Sequence, residues 1–238
     1  MTSSGRSVAT TSDALVPANR FSMEMLERII VQARDAGYAF VNLAELLQDQ
    51  NRARFSIRLD LDFKPKTLRP FIRLATRYNV PMTVYVRAAG PYNPIWHTSF
   101  EVLKEAANSG LELGLHTAAV EWAEMHGATP EAAFAAEIEI LRQWFKITTV
   151  APHRDVNYLY NTLPWLEANW AALAKEYQLR FHAYDARLFE NAEYVNEGLH
   201  PHLGWRSQDP LDVIRSGKSI YMLLHPHWWF VDHPFEHD

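Results

Sequence analysis

The sequence predicts an α/β fold, an incomplete or distorted TIM-like barrel, on three observations. Short β-branched and aromatic runs alternate with segments of helical periodicity six or seven times along 238 residues, which implies parallel strands joined by helical crossovers. No Gly-rich loop of the dinucleotide-binding or P-loop type follows any strand, which counts against a nucleotide-binding open sheet. The strands also end repeatedly in Asp, His or Glu, at the tips where parallel α/β proteins keep their chemistry.

Met23, Leu26, Ile29, Ile30 and Ala33 share one helical face after a Ser22 cap, and Gly37 stands where that helix ends. A short strand follows at Tyr38 to Leu43, then one or two helical turns at Ala44 to Gln50, then a strand at Arg54 to Asp62. Leu68, Phe71, Ile72, Ala75 and Tyr78 mark a second helix that tolerates Pro70 near its first turn. Pro81 to Arg87 is a buried strand by composition, and Ala88 to Trp96, with two prolines and a glycine, is a loop.

Thr98 and Glu101 have capping-box spacing and open a helix to about Asn108, stopped by Gly110. Leu111 to His116 is a strand, and His126 falls in a loop beyond it. Thr129-Pro130-Glu131 opens a helix that carries Phe134, Ile138, Leu141 and Phe145 inward. Thr148 to Ala151 is a strand ending at Pro152-His153-Arg154. A helix from about Leu163 to Tyr177 precedes strands at Leu179 to Ala183 and Glu193 to Asn196. Asp209-Pro210 opens a short helix that Gly217 ends, and Ser219 to Leu224 is an apolar strand running into His225-Pro226-His227.

A 48% hydrophobic content suits one core, so residues 21–238 read as a single barrel domain and the Ser/Thr/Ala-rich residues 1–20 as a flexible tail. That tail lacks the apolar run of a signal peptide or membrane span, and a cytoplasmic location is the simplest consequence. The net charge of −5 is interspersed and gives no electrostatic case for nucleic acid or a membrane surface. Without cysteine there is neither a disulfide nor a thiolate zinc site.

Side chains repeat direction every two residues in a strand, so Asp60 and Asp62 leave on one face at a strand tip. Two close carboxylates resist ionising together unless a cation lies between them or one works as a base. His116, His153 with Arg154, Asp185, Glu197 and His225 stand at the other tips. Two or three imidazoles with a carboxylate are the ligands of catalytic zinc or a similar divalent ion, nickel, cobalt and manganese included, with a position left for water. Packing histidines and solvated acids are the plain alternatives at each position taken singly. Trp228 and Trp229 suit either a sugar platform or a core plug, and His227, His233 and His237 read as surface residues.

The order and wording of these motifs resemble the polysaccharide deacetylase superfamily, the nodulation-protein-B-like deacetylases related to carbohydrate esterase family 4. They are closer to a divergent branch with an R-H-D-V-D first motif. That motif reads Arg58-Leu59-Asp60-Leu61-Asp62 here, the second Leu113-Gly114-Leu115-His116, the third Ala151-Pro152-His153-Arg154 and the last Leu223-Leu224-His225-Pro226-His227-Trp228-Trp229. Tyr92-Asn93-Pro94 and the stretch from Trp205-Arg206 to Asp209-Pro210 are similar as well.

The resemblance implies a distorted (β/α)7 barrel and metal-dependent removal of an acetyl or similar acyl group from an amino sugar or surface polysaccharide. It makes Asp60 the general base, Asp62 and His116 metal ligands, His225 the general acid and Arg154 the residue that orients the base. Tyr92, Asn93, Trp205, Arg206 and Glu197 are the expected substrate contacts. The second motif departs from the family's H-[ST]-x-x-H, because Val120 stands four residues after His116; His153, from the next strand tip, is expected to supply the third ligand. Leu59, Glu197 and His227 replace the histidine, aspartate and glutamate expected there. A catalytically silent carbohydrate-binding relative and a metal-free glycosidase using two carboxylates, for example Asp60 with Glu197, are the alternatives.

Overall fold

A computed structural model of the chain describes residues 21–48, 52–155, 160–198, 204–233 and 236. The expected tail, residues 1–20, and His237 lie outside the described residues. Helix α1 (Met23–Asp35) starts where the Ser22 hydroxyl accepts from the Met25 amide, and it buries Met25, Leu26, Ile29, Ile30 and Ala33 as its periodicity requires. Strand β1 (Ala39–Phe40) and the one-turn helix α2 (Leu43–Leu46), closed by a reciprocal Asn42/Glu45 capping box, lead to β2 (Arg54–Leu61). Every residue of β2 is buried, the mark of a strand covered on both faces.

The chain continues through α3 (Arg69–Tyr78), β3 (Met82–Val86), α4 (His97–Asn108), β4 (Glu112–Thr117), α5 (Ala119–His126) and α6 (Pro130–Arg142). Next come β5 (Thr149–Pro152), a small hairpin of β6 (Arg154–Asp155) and β7 (Tyr160–Asn161), α7 (Leu163–Glu176) and β8 (Phe181–His182). Helix α8 (Ala186–Asn191), β9 (Glu193–Asn196), α9 (Pro210–Ser216) and β10 (Ile220–Leu224) complete it.

Seven strands run parallel in the order β8-β5-β4-β3-β2-β10-β9, with β1 pairing off this path against β2. The sheet curls into a half-barrel flanked by helices, a distorted (β/α)7 barrel. Among the described residues β8 and β9 do not pair; α8 spans the seam, with Phe189 packed 5.9 Å from Tyr184 and 5.1 Å from Tyr194. All seven tips face one end, so the residues that close the strands meet there.

Three local expectations are corrected. Thr98 does not cap α4: the helix begins after Trp96, whose carbonyl already accepts from the Ser99 and Phe100 amides, so Thr98 lies inside the first turn. His126 lies at the end of α5, not in a loop; that helix buries only Ala119 and Ala123 and so shows no apolar stripe in sequence. The strand expected at Tyr38 to Leu43 forms over two residues only.

Gly114 in β4 has a steric reason. A Cβ there would lie 2.5 Å from the Tyr85 ring and 2.7 Å from Thr149 Oγ1, so only glycine lets the buried Tyr85 lie across the barrel interior. No helix among the described residues is long and apolar enough to cross a membrane.

Candidate active site

The alternation of β2 points Arg58, Asp60 and Asp62 to the barrel interior in succession. Arg58 donates from Nε and Nη2 to the two oxygens of Asp60, each at 2.7 Å, with both groups buried. Its Nη1 donates to the Tyr221 hydroxyl at 3.1 Å, which donates in turn to the Ala183 carbonyl. The guanidinium lies over the rings of Tyr85 and Tyr184, 5.3 and 4.8 Å from their centroids. Burial works against charge on Asp60, yet the Arg58 charge and hydrogen bonds hold its carboxyl below the usual value. Arg58, and not the expected Arg154, is the arginine in contact with Asp60. Arg154 is exposed on the β6–β7 hairpin, because the strand ends at Pro152 and the chain turns outward.

Three imidazoles face Asp62, and each has its Nδ1 committed elsewhere. His116, at the tip of β4, places Nδ1 3.0 Å from the Ala151 carbonyl; His153, beyond β5, places it 3.0 Å from Glu121 Oε2; His225, after β10, places it 2.7 Å from Glu197 Oε2. A carbonyl or carboxylate has no proton to give, so each Nδ1 must donate. The Nε2 atoms then turn to Asp62: His116 at 3.2 Å and His153 at 3.9 Å from Oδ1, His225 at 3.8 Å from Oδ2.

In neutral rings those Nε2 atoms are lone pairs aimed at a carboxylate, an arrangement that only a proton or a cation between them makes favourable. Asp62 Oδ1 is buried without a hydrogen-bond partner, and the ligand atoms of Asp62, His116 and His153 all lie within 4.8 Å of one another. One carboxylate oxygen and two imidazole nitrogens at this spacing suit a divalent ion with bonds of about 2.0–2.2 Å. With the rings instead protonated at Nε2, burial pushes the Asp62 carboxyl up, but a hydrogen bond from His116 and the charges of all three imidazoles outweigh it and hold the carboxyl well below the ordinary range.

Glu121 holds His153 in place and is itself gripped by Arg87 Nη2, at 3.2 and 3.3 Å from its oxygens. Burial raises its carboxyl, and His153 with Arg87 more than offset this, so it stays charged. Such a carboxylate behind a metal-facing histidine fixes the ring and raises its basicity. Val120, one position earlier on α5, is only partly buried; the chain places His153 beside His116 instead, with the rings in edge-on contact at 5.2 Å.

Glu197, expected as a substrate contact, is buried beneath His225. It lies 3% exposed, accepts from the His225 amide with both oxygens at 2.9 Å, and also accepts from His225 Nδ1 and Trp229 Nε1. Burial alone would favour the neutral ring of His225; the hydrogen bond and charge of Glu197, with Asp62 and Asp60 beyond, lift it to about 9. Trp229 is a core plug, packed 5.1 Å from Phe21, whereas Trp228 stacks on His225 at 4.4 Å.

Trp205, also expected as a substrate contact, stands beside Glu197. It packs edge-on to Phe21 at 5.1 Å, held by a β-bridge to Glu197, with its indole Nε1 buried and without a hydrogen-bond partner. Arg206 is exposed beside it. The Tyr92 hydroxyl is spent on main chain, donating to Leu61 O at 2.9 Å and accepting from Arg87 N at 3.1 Å, so it pins the loop after β3 to the tip of β2. Asn93 stays exposed and turns that loop by accepting from the Ile95 amide. Asp185 stays outside the cluster, capping α8 and pairing with Arg187.

Arg58, Glu121, Arg87 and Glu137 contact the candidate site's residues without having been assigned roles from sequence. Arg58 was visible two residues before Asp60 on the same strand face; the others lie on or beside α5 and α6 without a motif. Glu137, 1% exposed on α6, accepts from Thr117 Oγ1 at 2.6 Å and Ala118 N at 3.0 Å, fixing the turn after His116. Burial raises its carboxyl to about 7. A raised carboxyl stabilises the fold below the unfolded value near 4.5 and loses that contribution as pH rises through 7. Between pH 5 and 8, wild type should therefore lose about 2 kcal/mol relative to Glu137→Gln in urea unfolding. Parallel pH profiles for the two proteins would contradict this.

No protein-family model matches the chain, and comparison with curated proteins gives no match. Among solved structures, the chain is similar to the crystal structure of a mutant of a CE4 family pseudoenzyme with restored enzymatic activity. Sequence identity is 12% and the TM-score 0.38, with 75% of this chain and 58% of that chain covered. The chain thus spans less than two thirds of that structure's length.

Proposed function

We propose that the protein is a metal-dependent hydrolase that removes an acyl group from an amino sugar, with Asp62, His116 and His153 holding a divalent ion, zinc foremost. The observation that carries this reading is the convergence of the His116 and His153 Nε2 atoms on the buried, unpartnered Asp62 Oδ1, with each Nδ1 already committed. The bound ion supplies Lewis acidity, polarising the acyl carbonyl and lowering the pKa of water.

The chain's own residues supply the proton transfers. Asp60 borders the same space, with Oδ2 3.5 Å from His116 Nε2, and Arg58 keeps it ionised and aimed, as a general base requires. His225, carrying a proton at neutral pH through Glu197, faces the other oxygen of Asp62 and gives that proton to the departing amine. Trp228 packs its ring against His225 on that side.

The test is amine release from N-acylated amino sugars with and without a chelator. Turnover that stops on chelation and returns with added zinc is expected, and His225→Gln should lower kcat about 100- to 10,000-fold at unchanged metal content. Turnover that survives chelation, or none with metal supplied, would overturn the reading.

A further inference from the structure

We infer that the acyl group removed is an apolar chain longer than acetyl, lying in the groove between the loop after β3 and helix α5. The inference rests on the hydrolase reading above and names its substrate class. A cavity of about 790 Å³ opens there, far more than one methyl group needs, and His153 and Glu121 are among its lining residues, so it reaches one of the proposed metal ligands.

The chemistry of its walls favours hydrocarbon over sugar. Ile95, Met125 and Phe63 line it while 52%, 53% and 43% exposed, and Trp122 lies beside them. Exposed large apolar side chains grouped around one cleft mark a binding surface for an apolar ligand. Saccharide recognition needs hydrogen-bonding groups with capacity to spare, and most of those at the groove's depth are spent on one another, the buried Arg87 Nε keeping one unused donor. Arg87 Nη2 holds Glu121, Glu121 holds His153, and the Tyr92 hydroxyl both donates and accepts within the chain.

The placement of the proton donor gives the direction. His225 approaches Oδ2 of Asp62, and His153, at the groove wall, approaches Oδ1. An amide whose nitrogen leaves toward His225 presents its acyl substituent on the other side, toward the groove. The reaction consumes water: the carbon–nitrogen bond breaks, a carbon–oxygen bond forms, Asp60 takes the proton of water and His225 protonates the amine. The products are a free amino sugar and a medium-chain carboxylic acid.

The experiment compares kcat/KM for one amino sugar carrying acetyl, butanoyl, hexanoyl or octanoyl amides. Its proteins are the metal-loaded wild type, the double variant Ile95→Glu with Met125→Glu, and the control Trp144→Glu, whose exposed ring lies in a different cleft. Each methylene buried is worth about three- to fourfold, so hexanoyl should exceed acetyl by at least about tenfold in wild type and control. The double variant should flatten that ratio. A preference for acetyl, or a ratio the double variant leaves intact, overturns the inference. If no amide is turned over, calorimetric titration with the N-hexanoyl and N-acetyl sugars still decides. Tighter hexanoyl binding lost in the double variant supports the groove while the hydrolase reading fails, and equal binding overturns the groove.

Discussion

Asp60→Asn is expected to lower kcat by about 100- to 10,000-fold while the protein keeps its metal. Asparagine fills the same space but leaves the buried Arg58 charge without its counter-charge, so urea unfolding of the variant is measured alongside, and the amide cannot accept a proton from water. The metal stays because Asp60 lies outside the trio of Asp62, His116 and His153. Elemental analysis beside steady-state kinetics separates the two effects. Asp62→Ala should lose the ion and the activity together, since it removes the oxygen on which both imidazoles converge. The same deficit from both substitutions would contradict the assignment of base to one carboxylate and ligand to the other.

Arg58→Met is expected to cost about 3–5 kcal/mol of stability, because it strands a fully buried carboxylate without its counter-charge. Urea unfolding measures this directly. Adding Asp60→Asn should restore part of the loss, with a coupling energy of about 1–3 kcal/mol between the two positions. Arg154→Met, on an exposed hairpin, should stay within about 0.5 kcal/mol of wild type. Additive losses at Arg58 and Asp60, or a larger effect at Arg154, would mean that the buried pair does not fix the base.

The parallel architecture was legible because its signals are local. The β2 run, the Ser22 and Thr129 caps and the Gly217 stop each state their element in a few residues, and the structure places them as expected. The short elements were not, since β1 and β8 are two residues long and take their place from pairing with a neighbour. Helix α5 was missed for a related reason: its burial rests on two alanines, and its role is to present Glu121 to His153.

The strand tips gave the candidate residues but not which carboxylate serves which group. Glu197 and Arg154 illustrate the difficulty. Both sit in sequence where a site residue is expected, but one is turned inward beneath His225 and the other outward on a hairpin. Which way a side chain faces after its strand ends depends on the loop, and the loop's path is set by contacts from distant parts of the chain. Arg58 shows the converse, since its pairing with Asp60 follows from strand alternation alone.

The most direct test is the metal content of the tag-free wild type and of His153→Ala, measured by elemental mass spectrometry after loading with zinc and removal of excess. Because Val120 cannot bind a metal and His153 supplies the second imidazole beside Asp62, the proposed centre depends on His153. Close to one divalent ion per wild-type chain, lost in His153→Ala, is the expected result. A wild type that holds no ion after loading, or a variant that holds it as well as wild type, would contradict a metal centre built from Asp62, His116 and His153.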